Sequence, residues 1–375
     1  MEAAAAVSSI SVLGILARMR WNFARLPILP AVEAVPSSPA ATVCLCIPAR
    51  NEAREIGPAL DSWLAQDHPS LVILVVDDGS TDETPALLAA RAAAHPERLR
   101  VLRNDYLPPG WLGKNHALHL ATQQPEARAA EWILFVDADV HATPDLLRRA
   151  FASLERNPAD ILGLLFAIDT EEPFEHLYGL FLVSAFLTLI PPHQVPDPKH
   201  WSFCAGGGFI LVRRSAYDTA GGHAAAPLEP IDDMMLARRV KKAGFVNRVA
   251  LGGPMLHLRM YHGLMEVVRG TRKSVAGAPG WLFLPLGALF SIALYLAPLW
   301  LLLAGQPWLA LALLVMIPLL CTGVMRRITG GPMRASWLLW PLMGGIVGWA
   351  MMWAFCDASL GRNTWRGRTV KLRAT

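Results

Sequence analysis

The apolar residues of this 375-residue chain follow two patterns, which meet near residue 281. Before that point, short apolar runs alternate with segments in which apolar residues recur every three or four positions. The runs are typical of buried strands, and the other segments are typical of amphipathic helices. Alternating strands and helices predict an α/β domain with a mostly parallel sheet and a site at the carboxyl ends of its strands. The clearest strand-type runs are Val43–Ile47, Leu71–Val76, Trp132–Val136 and Ile161–Ile168.

Beyond residue 281 the apolar runs become long enough to cross a bilayer. Residues Trp281–Gly305, Pro307–Met325 and Ala335–Cys356 carry no charge, and each reaches the ~20 residues that a membrane-spanning helix needs. Tryptophans lie near several of their ends, as interfacial anchors do. A buried helical hairpin of a soluble core is the alternative, and three such runs in succession argue against it. The sequence therefore predicts C-terminal transmembrane helices.

The remaining segments are shorter. The apolar stretch Ala3–Ala17 lacks basic residues ahead of it, so we interpret it as a membrane anchor rather than a cleaved signal. Residues Tyr178–Ile190 are apolar but too short to span, which leaves open a core helix or a helix at the bilayer surface. The predicted organisation is an N-terminal anchor (1–26), a linker (27–41), a catalytic domain (42–260), a basic juxtamembrane segment (261–280), transmembrane helices (281–359) and a basic tail (360–375).

Basic residues between the apolar runs predict the orientation. Arg326, Arg327 and Arg334 place their loop in the cytoplasm, and the α/β domain before residue 281 faces the same side. Three spans would then put the basic tail outside. A re-entrant run that bends at Gly344 and Gly345 would resolve this conflict, so the number of spans and the side of the tail stay open. We expect a multi-pass protein of the cell membrane whose catalytic domain faces the cytoplasm.

Composition agrees with a folded protein tied to a membrane. Apolar residues make up 53% of the chain and charged residues 17%, and the mean hydropathy is +0.35. The high apolar share and the positive mean hydropathy exclude a disordered protein. The charged share is lower than the value of about a quarter that is usual in soluble proteins. The net charge of +4 gives no indication of a nucleic-acid partner. The five cysteines include no CxxC pair, and Cys44 and Cys46 alternate with apolar residues in a predicted strand, which favours a reducing compartment.

Polar motifs follow the predicted strands. The first strand leads into Pro48-Ala49-Arg50-Asn51-Glu52, the second ends in Asp77-Asp78-Gly79-Ser80, and the third run ends in Asp137-Ala138-Asp139. Ordinary turn formation accounts for many such residues. However, adjacent carboxylates at the end of a buried strand repel each other unless something binds them. Two hard oxygen ligands at a strand exit suit Mg²⁺ or Mn²⁺, which would neutralise the charge of a diphosphate.

Two further motifs carry charge at predicted helix starts. Lys114 follows a Pro/Gly-rich loop, where it contacts a phosphate as a point charge or is simply an exposed lysine. Asp232 and Asp233 open a helix downstream of Gly206-Gly207-Gly208. Carboxylates at a helix N-terminus are favourable by themselves. The functional alternative is that one of them is a general base for an acceptor hydroxyl.

In this order the motifs resemble those of family 2 glycosyltransferases with the GT-A fold. The loop LPPGWLGK, the stretch DADVH and the apolar C-terminal part are similar to hopanoid-associated and carotenoid-type lipid glycosyltransferases of bacteria. The resemblance covers roughly residues 42–260 and implies a GT-A-type nucleotide-diphospho-sugar transferase domain. The matching stretches are IPARNE, VVDDGSTDET, GK at 113–114, DAD at 137–139, GGG at 206–208 and DD at 232–233.

The resemblance also implies roles for individual residues. Asp233 matches the general base of the family, and Asp232 stands where a glutamate is usual. The Gln-x-x-Arg-Trp motif of processive synthases is absent from the sequence, so we expect transfer of a single sugar. The residues implied in donor binding are Pro48, Arg50, Glu52 and Asp78 for the base and ribose, and Asp137 and Asp139 for the ribose and the metal-bound diphosphate.

The function expected from these features is inverting transfer of one sugar from a nucleotide-sugar, UDP-linked, to a hydroxyl of a lipid or isoprenoid acceptor. Asp233 would deprotonate the acceptor, and Mg²⁺ or Mn²⁺ on Asp139 and Asp137 would stabilise the leaving diphosphate. Two alternatives remain open: a polyprenyl-phosphate glycosyltransferase, and a catalytically inactive membrane scaffold of the same fold. Whether His257 or His141 is a metal ligand also stays open.

Overall fold

The computed structural model of the chain describes residues 2–31, 41–276, 284–329 and 335–360, with two short strands at 364–365 and 368–369. The chain clusters into two compact units. We call residues Leu26–Ala167 and Pro192–Arg259 the sheet unit. The helical unit comprises residues Met1–Arg25, Ile168–Pro191 and Met260–Thr375.

Several predicted segments fall wholly or partly on residues that lie outside the described ranges. They include most of the linker, the start of the first apolar run with Trp281, the loop with Arg334, and most of the basic tail. The predictions for those residues stay predictions.

One eight-stranded sheet forms the centre of the sheet unit. Its strands are β1 (Val43–Ala49), β2 (Leu71–Asp77), β3 (Leu99–Arg103), β4 (Trp132–Phe135), β5 (His141–Ala142), β6 (Ile161–Ile168), β7 (Ile210–Arg213) and β8 (Asn247–Leu258). Their order across the sheet is β3-β2-β1-β4-β7-β6-β8-β5. Strands β1 to β4 pair in parallel, whereas β7 pairs antiparallel with both β4 and β6, and β5 pairs antiparallel with β8. The predicted α/β class is confirmed, and the parallel half of the sheet carries the motifs that follow β1, β2 and β4.

The described helices, in chain order, are α1 (Glu2–Ala24), α2 (Ile56–Leu64), α3 (Thr84–Ala94), α4 (Gly113–Gln123), α5 (Pro125–Ala129), α6 (Leu146–Arg156), α7 (Pro173–Leu189), α8 (Arg214–Thr219), α9 (Asp232–Lys242), α10 (Leu264–Ala276), α11 (Leu284–Tyr295), α12 (Ala297–Leu303), α13 (Pro307–Thr329) and α14 (Leu342–Ser359). Helices α1, α7 and α10 to α14 belong to the helical unit, and the others belong to the sheet unit.

Apolar spacing explains why these elements form. In α2, Ile56, Ala59, Leu60 and Trp63 recur at helical spacing, and all four are buried. The Trp63 indole donates a hydrogen bond to the Val140 carbonyl oxygen at 2.9 Å, which ties α2 to the chain that follows β4. The central strands are buried on both faces, which is the burial that continuous apolar runs predict.

The first C-terminal apolar run does not form one long helix. It is divided into α11 and α12, which are 12 and 7 residues long, and Pro298 lies in the first turn of α12. Proline has no backbone N–H to donate and its ring crowds the preceding turn, so it favours a helix start at this place. The single span predicted from residues 281–305 is therefore not confirmed.

The third apolar run forms a short 3₁₀ turn, Ala335–Leu339, followed by α14. Helix α14 continues through Gly344 and Gly345, so the bend considered there does not form. A Cβ on Gly344 would lie 2.5 Å from the Tyr295 Cβ, and one on Gly348 would lie 2.9 Å from the Ile292 Cδ1. The glycines therefore permit α11 and α14 to pack closely, as small residues four apart do at helix interfaces.

Helix length tests the predicted spans only in part. Within the described ranges, α14 is the one helix that is long and apolar enough to cross a membrane; α7 (Pro173–Leu189) and the first part of α13 (Pro307–Leu319) are shorter apolar stretches. Exposed large apolar side chains concentrate in the helical unit; among the described residues, only Ile28, Tyr106 and Trp201 lie outside it. Exposed apolar side chains in this number are uncommon on a protein that contacts water alone.

Candidate active site

The loops after β1 and β2 lie side by side at one edge of the sheet, because the parallel register pairs Ala49 with Asp77. The Asn51 amide N–H donates to the Ser80 hydroxyl at 2.9 Å, and the Asn51 side-chain oxygen accepts from the Thr81 N–H at 2.8 Å. Asn51 adopts a φ of 54°, a left-handed conformation that asparagine tolerates better than most residues. The two motifs therefore form one connected loop pair, which also contains Pro48 and Glu52.

The adjacent carboxylates Asp77 and Asp78 have different partners. Asp77 pairs with the Arg103 guanidinium and accepts from the Ser80 N–H at 2.9 Å. Asp78 is buried, and its carboxylate accepts from the Asn104 side-chain amide at 2.7 Å. Arg50 lies 3.8 Å from the same carboxylate and donates to the Asp78 backbone oxygen at 2.5 Å. The repulsion between the two carboxylates is thus offset within the protein, and Asp78 is held with a fixed orientation.

Asn104 and the neighbouring rings of Trp111, His116 and His119 were not among the site residues predicted from the sequence. The Asn104 amide also lies 3.3 Å from the His116 Nδ1. The Trp111 ring packs against His119 with ring centroids 5.0 Å apart and against His116 at 5.4 Å. An isolated asparagine at the end of a strand gives no spacing signal, so sequence reasoning had no means of finding it.

Four charged side chains meet at the carboxyl edge of the sheet, and we call them the lysine–aspartate cluster: Lys114, Asp137, Asp232 and Asp233. The Lys114 Nζ lies 2.8 Å from an Asp137 carboxylate oxygen and 3.4 Å from an Asp232 carboxylate oxygen. Lys114 is in the first turn of α4, Asp137 follows β4, and the other two open α9. Three motifs that lie far apart in the sequence are therefore brought together.

The charges of the cluster keep Lys114 protonated and make Asp233 a weaker acid than an ordinary aspartic acid. Burial by itself lowers the pKa of Lys114, but the charges of Asp137, Asp232 and Asp233 outweigh it and raise the pKa above its ordinary value. Burial and the neighbouring Asp232 charge raise the pKa of Asp233 to about 6, although Lys114 opposes them. A carboxyl group with this pKa is ionised at neutral pH and still basic enough to accept a proton.

The glycine run leaves room for this cluster. A Cβ on Gly207 would lie 3.1 Å from an Asp137 carboxylate oxygen and 3.3 Å from an Asp233 carboxylate oxygen. Any side chain here would therefore push apart the groups that form the cluster.

Asn115 fixes the distance between α4 and α9. Its side-chain amide donates to the Glu229 carbonyl oxygen at 2.9 Å and shares its other N–H between the Ala226 and Pro227 carbonyl oxygens, at 3.3 and 3.2 Å, in the segment before α9. The preceding residue, Lys114, is thereby held opposite Asp232 and Asp233. Both carboxylates also benefit from their place in the first turn of α9.

The residues of metal-ligand type that follow Asp137 along the chain are Asp139 and His141. Asp139 is half-buried just beyond β4, and His141 and His257 face each other in the β5–β8 register, with ring centroids 5.2 Å apart. In the described ranges, no group of three or more His, Cys, Asp and Glu side chains is arranged to hold an ion. Asp137 and Asp139 offer hard carboxylate oxygens, the ligand type that Mg²⁺ and Mn²⁺ take from proteins and from phosphates alike. The donor set thus fits Mg²⁺ or Mn²⁺ bound together with a diphosphate.

Comparison with known proteins gives the family of residues 44–221. Residues 44–221 match the model described as Glycosyl transferase family 2. These residues are a glycosyltransferase family 2 domain. The predicted resemblance is confirmed, and the β1, β2 and β4 motifs, Lys114 and the glycine run all fall inside the family 2 domain. The Asp232–Asp233 pair lies 11 residues beyond the end of the match.

A curated relative and a solved structure extend this finding. The chain is 27% identical over 245 residues to the 4,4'-diaponeurosporenoate glycosyltransferase of Staphylococcus aureus (strain USA300), an alignment that covers 63% of this chain and 61% of that protein. The mannosyltransferase PcManGT from Pyrobaculum calidifontis, solved in complex with GDP-Man and Mn²⁺, superposes with a TM-score of 0.57 at 18% identity, covering 95% of this chain and 99% of that one. The structural likeness shows that the family 2 domain has the GT-A-like fold.

Proposed function

We propose that the protein transfers one sugar, with inversion, from a nucleotide-diphospho-sugar to a hydroxyl of a lipid or isoprenoid acceptor. The observation that carries this proposal is the lysine–aspartate cluster at the carboxyl edge of a family 2 domain. It combines a phosphate-binding cation with an aspartate whose pKa is raised to about 6. A scaffold without activity would have no need to keep a half-buried acid in this state.

The donor nucleotide binds in the loop pair after β1 and β2. Asp78 is oriented by Asn104 and Arg50, so its carboxylate can accept from a base or ribose. Pro48 and Glu52 border the same loop pair. We propose a UDP-linked donor, as the motifs imply; the structural neighbour PcManGT was solved with a guanosine-linked donor, so the nucleotide is a point to test.

The diphosphate binds at Lys114, Asp137 and Asp139. Without a donor, Lys114 pairs with Asp137 and Asp232. A diphosphate offers the lysine a stronger anionic partner and releases Asp137 for other contacts. Asp139, with Asp137, would hold Mg²⁺ or Mn²⁺, which supplies charge neutralisation for the leaving diphosphate when bound.

Asp233 is the proposed general base. Its carboxylate accepts from the Met234 N–H at 2.7 Å, which fixes its orientation, and the negative charge of Asp232 makes it more basic. It would take the acceptor's hydroxyl proton while the oxygen attacks the anomeric carbon opposite the departing diphosphate. The bond to the diphosphate breaks as the new glycosidic bond forms, so an α-linked donor gives a β-glycoside.

The helical unit would bring the protein to its acceptor. Its exposed apolar side chains support attachment to the cell membrane, and we propose a multi-pass arrangement with the catalytic domain, residues 42–260, on the cytoplasmic side. A lipid acceptor presents its hydroxyl at the interface, where such a domain meets it. This arrangement explains why a sugar-transferring domain carries an apolar unit.

The experiment incubates the full chain with radiolabelled nucleotide-sugars and a bacterial lipid extract, with Mg²⁺ or Mn²⁺ present. We expect label from one UDP-sugar to enter the organic phase. Asp218→Asn changes a half-exposed aspartate on α8 and is the matched control, which should retain activity. Nucleotide binding without any transfer would instead identify an inactive scaffold, and labelled polyprenyl phosphate would identify the polyprenyl-phosphate glycosyltransferase.

A further inference from the structure

The Asn104 side-chain amide lies between two polar groups that come from different parts of the fold. Its Nδ2 lies 2.7 Å from an Asp78 carboxylate oxygen, beyond β2, and 3.3 Å from the His116 Nδ1, on α4. All three side chains are buried. The Asn104 backbone N–H donates to the Asp77 carbonyl oxygen at 2.8 Å, which fixes the residue at the end of β3. The amide therefore links His116 to the carboxylate that we assign to the donor nucleotide.

The chemistry of the three groups decides which atom donates. A carboxylate only accepts hydrogen bonds, so the amide presents its NH₂ end, not its oxygen, to Asp78. The same NH₂ group has a second hydrogen for His116. The His116 Nδ1 therefore accepts, and the proton of the neutral imidazole is on Nε2. If the amide of Asn104 were turned over, its oxygen would face both the carboxylate and the Nδ1 lone pair, and both contacts would be repulsive.

Packing holds the His116 ring in this position. The Trp111 ring meets it edge to face, with ring centroids 5.4 Å apart, and stacks on His119, one turn further along α4, at 5.0 Å. Trp111 belongs to the loop LPPGWLGK, in which Leu112 donates its N–H to the Pro227 carbonyl oxygen at 2.9 Å. The tryptophan of this loop thus helps to fix the ring whose nitrogen accepts from the amide.

We propose that His116 is a positioning residue for the donor nucleotide, which acts through Asn104 on the Asp78 carboxylate. Its Nδ1 favours the amide orientation that supplies an N–H to Asp78. A carboxylate that is already held in one orientation loses less conformational freedom when it accepts from a base or ribose. The link from His116 to the donor runs through Asn104, so His116 affects donor affinity and not the transfer step. This inference rests on the proposed function, in which Asp78 binds the donor.

Two substitutions of His116 separate its hydrogen bond from the packing of its ring. His116→Phe keeps an aromatic ring against Trp111 and removes the acceptor. His116→Asn loses the ring but puts an oxygen in the place of Nδ1, because both atoms are bonded to Cγ. The Kd values for UDP and, in parallel, for GDP are measured by calorimetry on the full chain in detergent.

We expect the two variants to differ in nucleotide affinity. His116→Phe should raise the Kd of the nucleotide that binds by about fivefold to tenfold, which is the effect of one hydrogen bond. His116→Asn should stay within about twofold of the wild type, because it restores the acceptor. If His116→Phe does not fold, His116→Ala takes its place, since it also lacks the acceptor, and His116→Asn should again bind more tightly. Thermal melting of each variant checks the fold.

The transfer assay gives a second readout. At saturating donor, kcat of His116→Phe should equal that of the wild type, and the loss should be confined to the KM of the nucleotide-sugar. His95→Phe makes the same substitution at an exposed histidine that follows α3, and it should change neither kcat nor KM.

The opposite pattern of affinities would overturn the proposal. Wild-type affinity in His116→Phe with weaker binding in His116→Asn would show that the ring matters only through packing. Unchanged binding in both variants, or equal weakening in both, would overturn it as well. The expected Kd pattern in a protein that transfers no sugar would contradict the proposed function and keep the role of His116. A wild type that binds neither UDP nor GDP would contradict both.

Discussion

The general base can be tested through its pH dependence as well as its removal. Asp233→Asn keeps the shape of the side chain and removes the proton acceptor. General-base assistance contributes about 10²–10⁴ in rate, so kcat should fall by that factor. UDP affinity should persist, because Asp233 serves the acceptor rather than the nucleotide.

The magnitude of the pH effect follows from the environment of Asp233. Burial and Asp232 raise its pKa from an ordinary value near 3.8 to about 6. This difference corresponds to about 3 kcal/mol in favour of the protonated acid. Wild-type kcat/KM should therefore decline as the pH falls below about 6, where the base becomes protonated. Asp232→Asn removes a negative charge that raises the pKa of Asp233. In this variant the decline of kcat/KM at acid pH should therefore begin at a lower pH than in the wild type.

Stability measurements separate loss of the base from loss of the fold. A raised folded-state pKa stabilises the protein fully below about 3.8, and that contribution is lost as the pH rises through about 6. At pH 7.5 the ionised Asp233 is therefore unfavourable, and Asp233→Asn should be at least as stable to heat as the wild type. An Asp233→Asn protein that is stable, binds UDP and turns over at the wild-type rate would refute the assignment. If Asp232→Asn lost turnover and Asp233→Asn did not, the general base would be Asp232.

The other predictions concern metal, donor and membrane. Asp139→Asn should reduce turnover at least 100-fold with the fold intact, and excess chelator should do the same to the wild type; full activity in chelator would rule out a metal. Asn104→Ala removes a hydrogen bond to the Asp78 carboxylate, so the Kd for UDP in calorimetry should rise about tenfold or more, while the exposed control Asp105→Ala should not change it. The full chain should sediment with membranes and resist alkaline carbonate, and release by carbonate would contradict membrane spans.

The parallel half of the fold follows directly from apolar runs. Strands β1, β2 and β4 of this half lie within two residues of the predicted runs, because buried strands in a parallel sheet are apolar on both faces. Strand β6, which pairs antiparallel with β7, also coincides with its predicted run. Strand β3 was not predicted, because its sequence LRVLR places arginines on an edge strand. Strand β8 was not predicted either, because Gly252-Gly253-Pro254 interrupts its apolar pattern.

The site was predictable in its parts but not in its assembly. Composition and position indicated that Lys114, Asp137 and Asp233 carry charge at element ends. Their mutual distances depend on the crossover order of the strands and on the bonds of Asn115, which no local pattern encodes. For the same reason the sequence does not distinguish the adjacent aspartates Asp77 and Asp78. In the structure Asp77 pairs with Arg103, whereas Asp78 accepts a hydrogen bond from Asn104.

The C-terminal part shows where run length misleads. An uncharged run of 25 residues predicts one span, but Pro298 begins a new helix within it. Conversely, the sequence associates Gly344 and Gly345 with a bend, whereas in the structure Gly344 and Gly348 permit close packing of α11 on α14. Hydropathy locates apolar segments, whereas prolines and the partner helix decide their final form.

The most direct test of the proposed reaction is the configuration of the product. The full chain is incubated with the α-linked, ¹³C-labelled UDP-sugar that it accepts, together with the lipid extract, and the lipid phase is analysed by NMR. The account predicts a single sugar per lipid, attached through a β-glycosidic bond, with none formed by Asp233→Asn. An α-glycoside, or labelled sugar that remains free in the aqueous phase, would contradict an inverting transfer to a lipid hydroxyl.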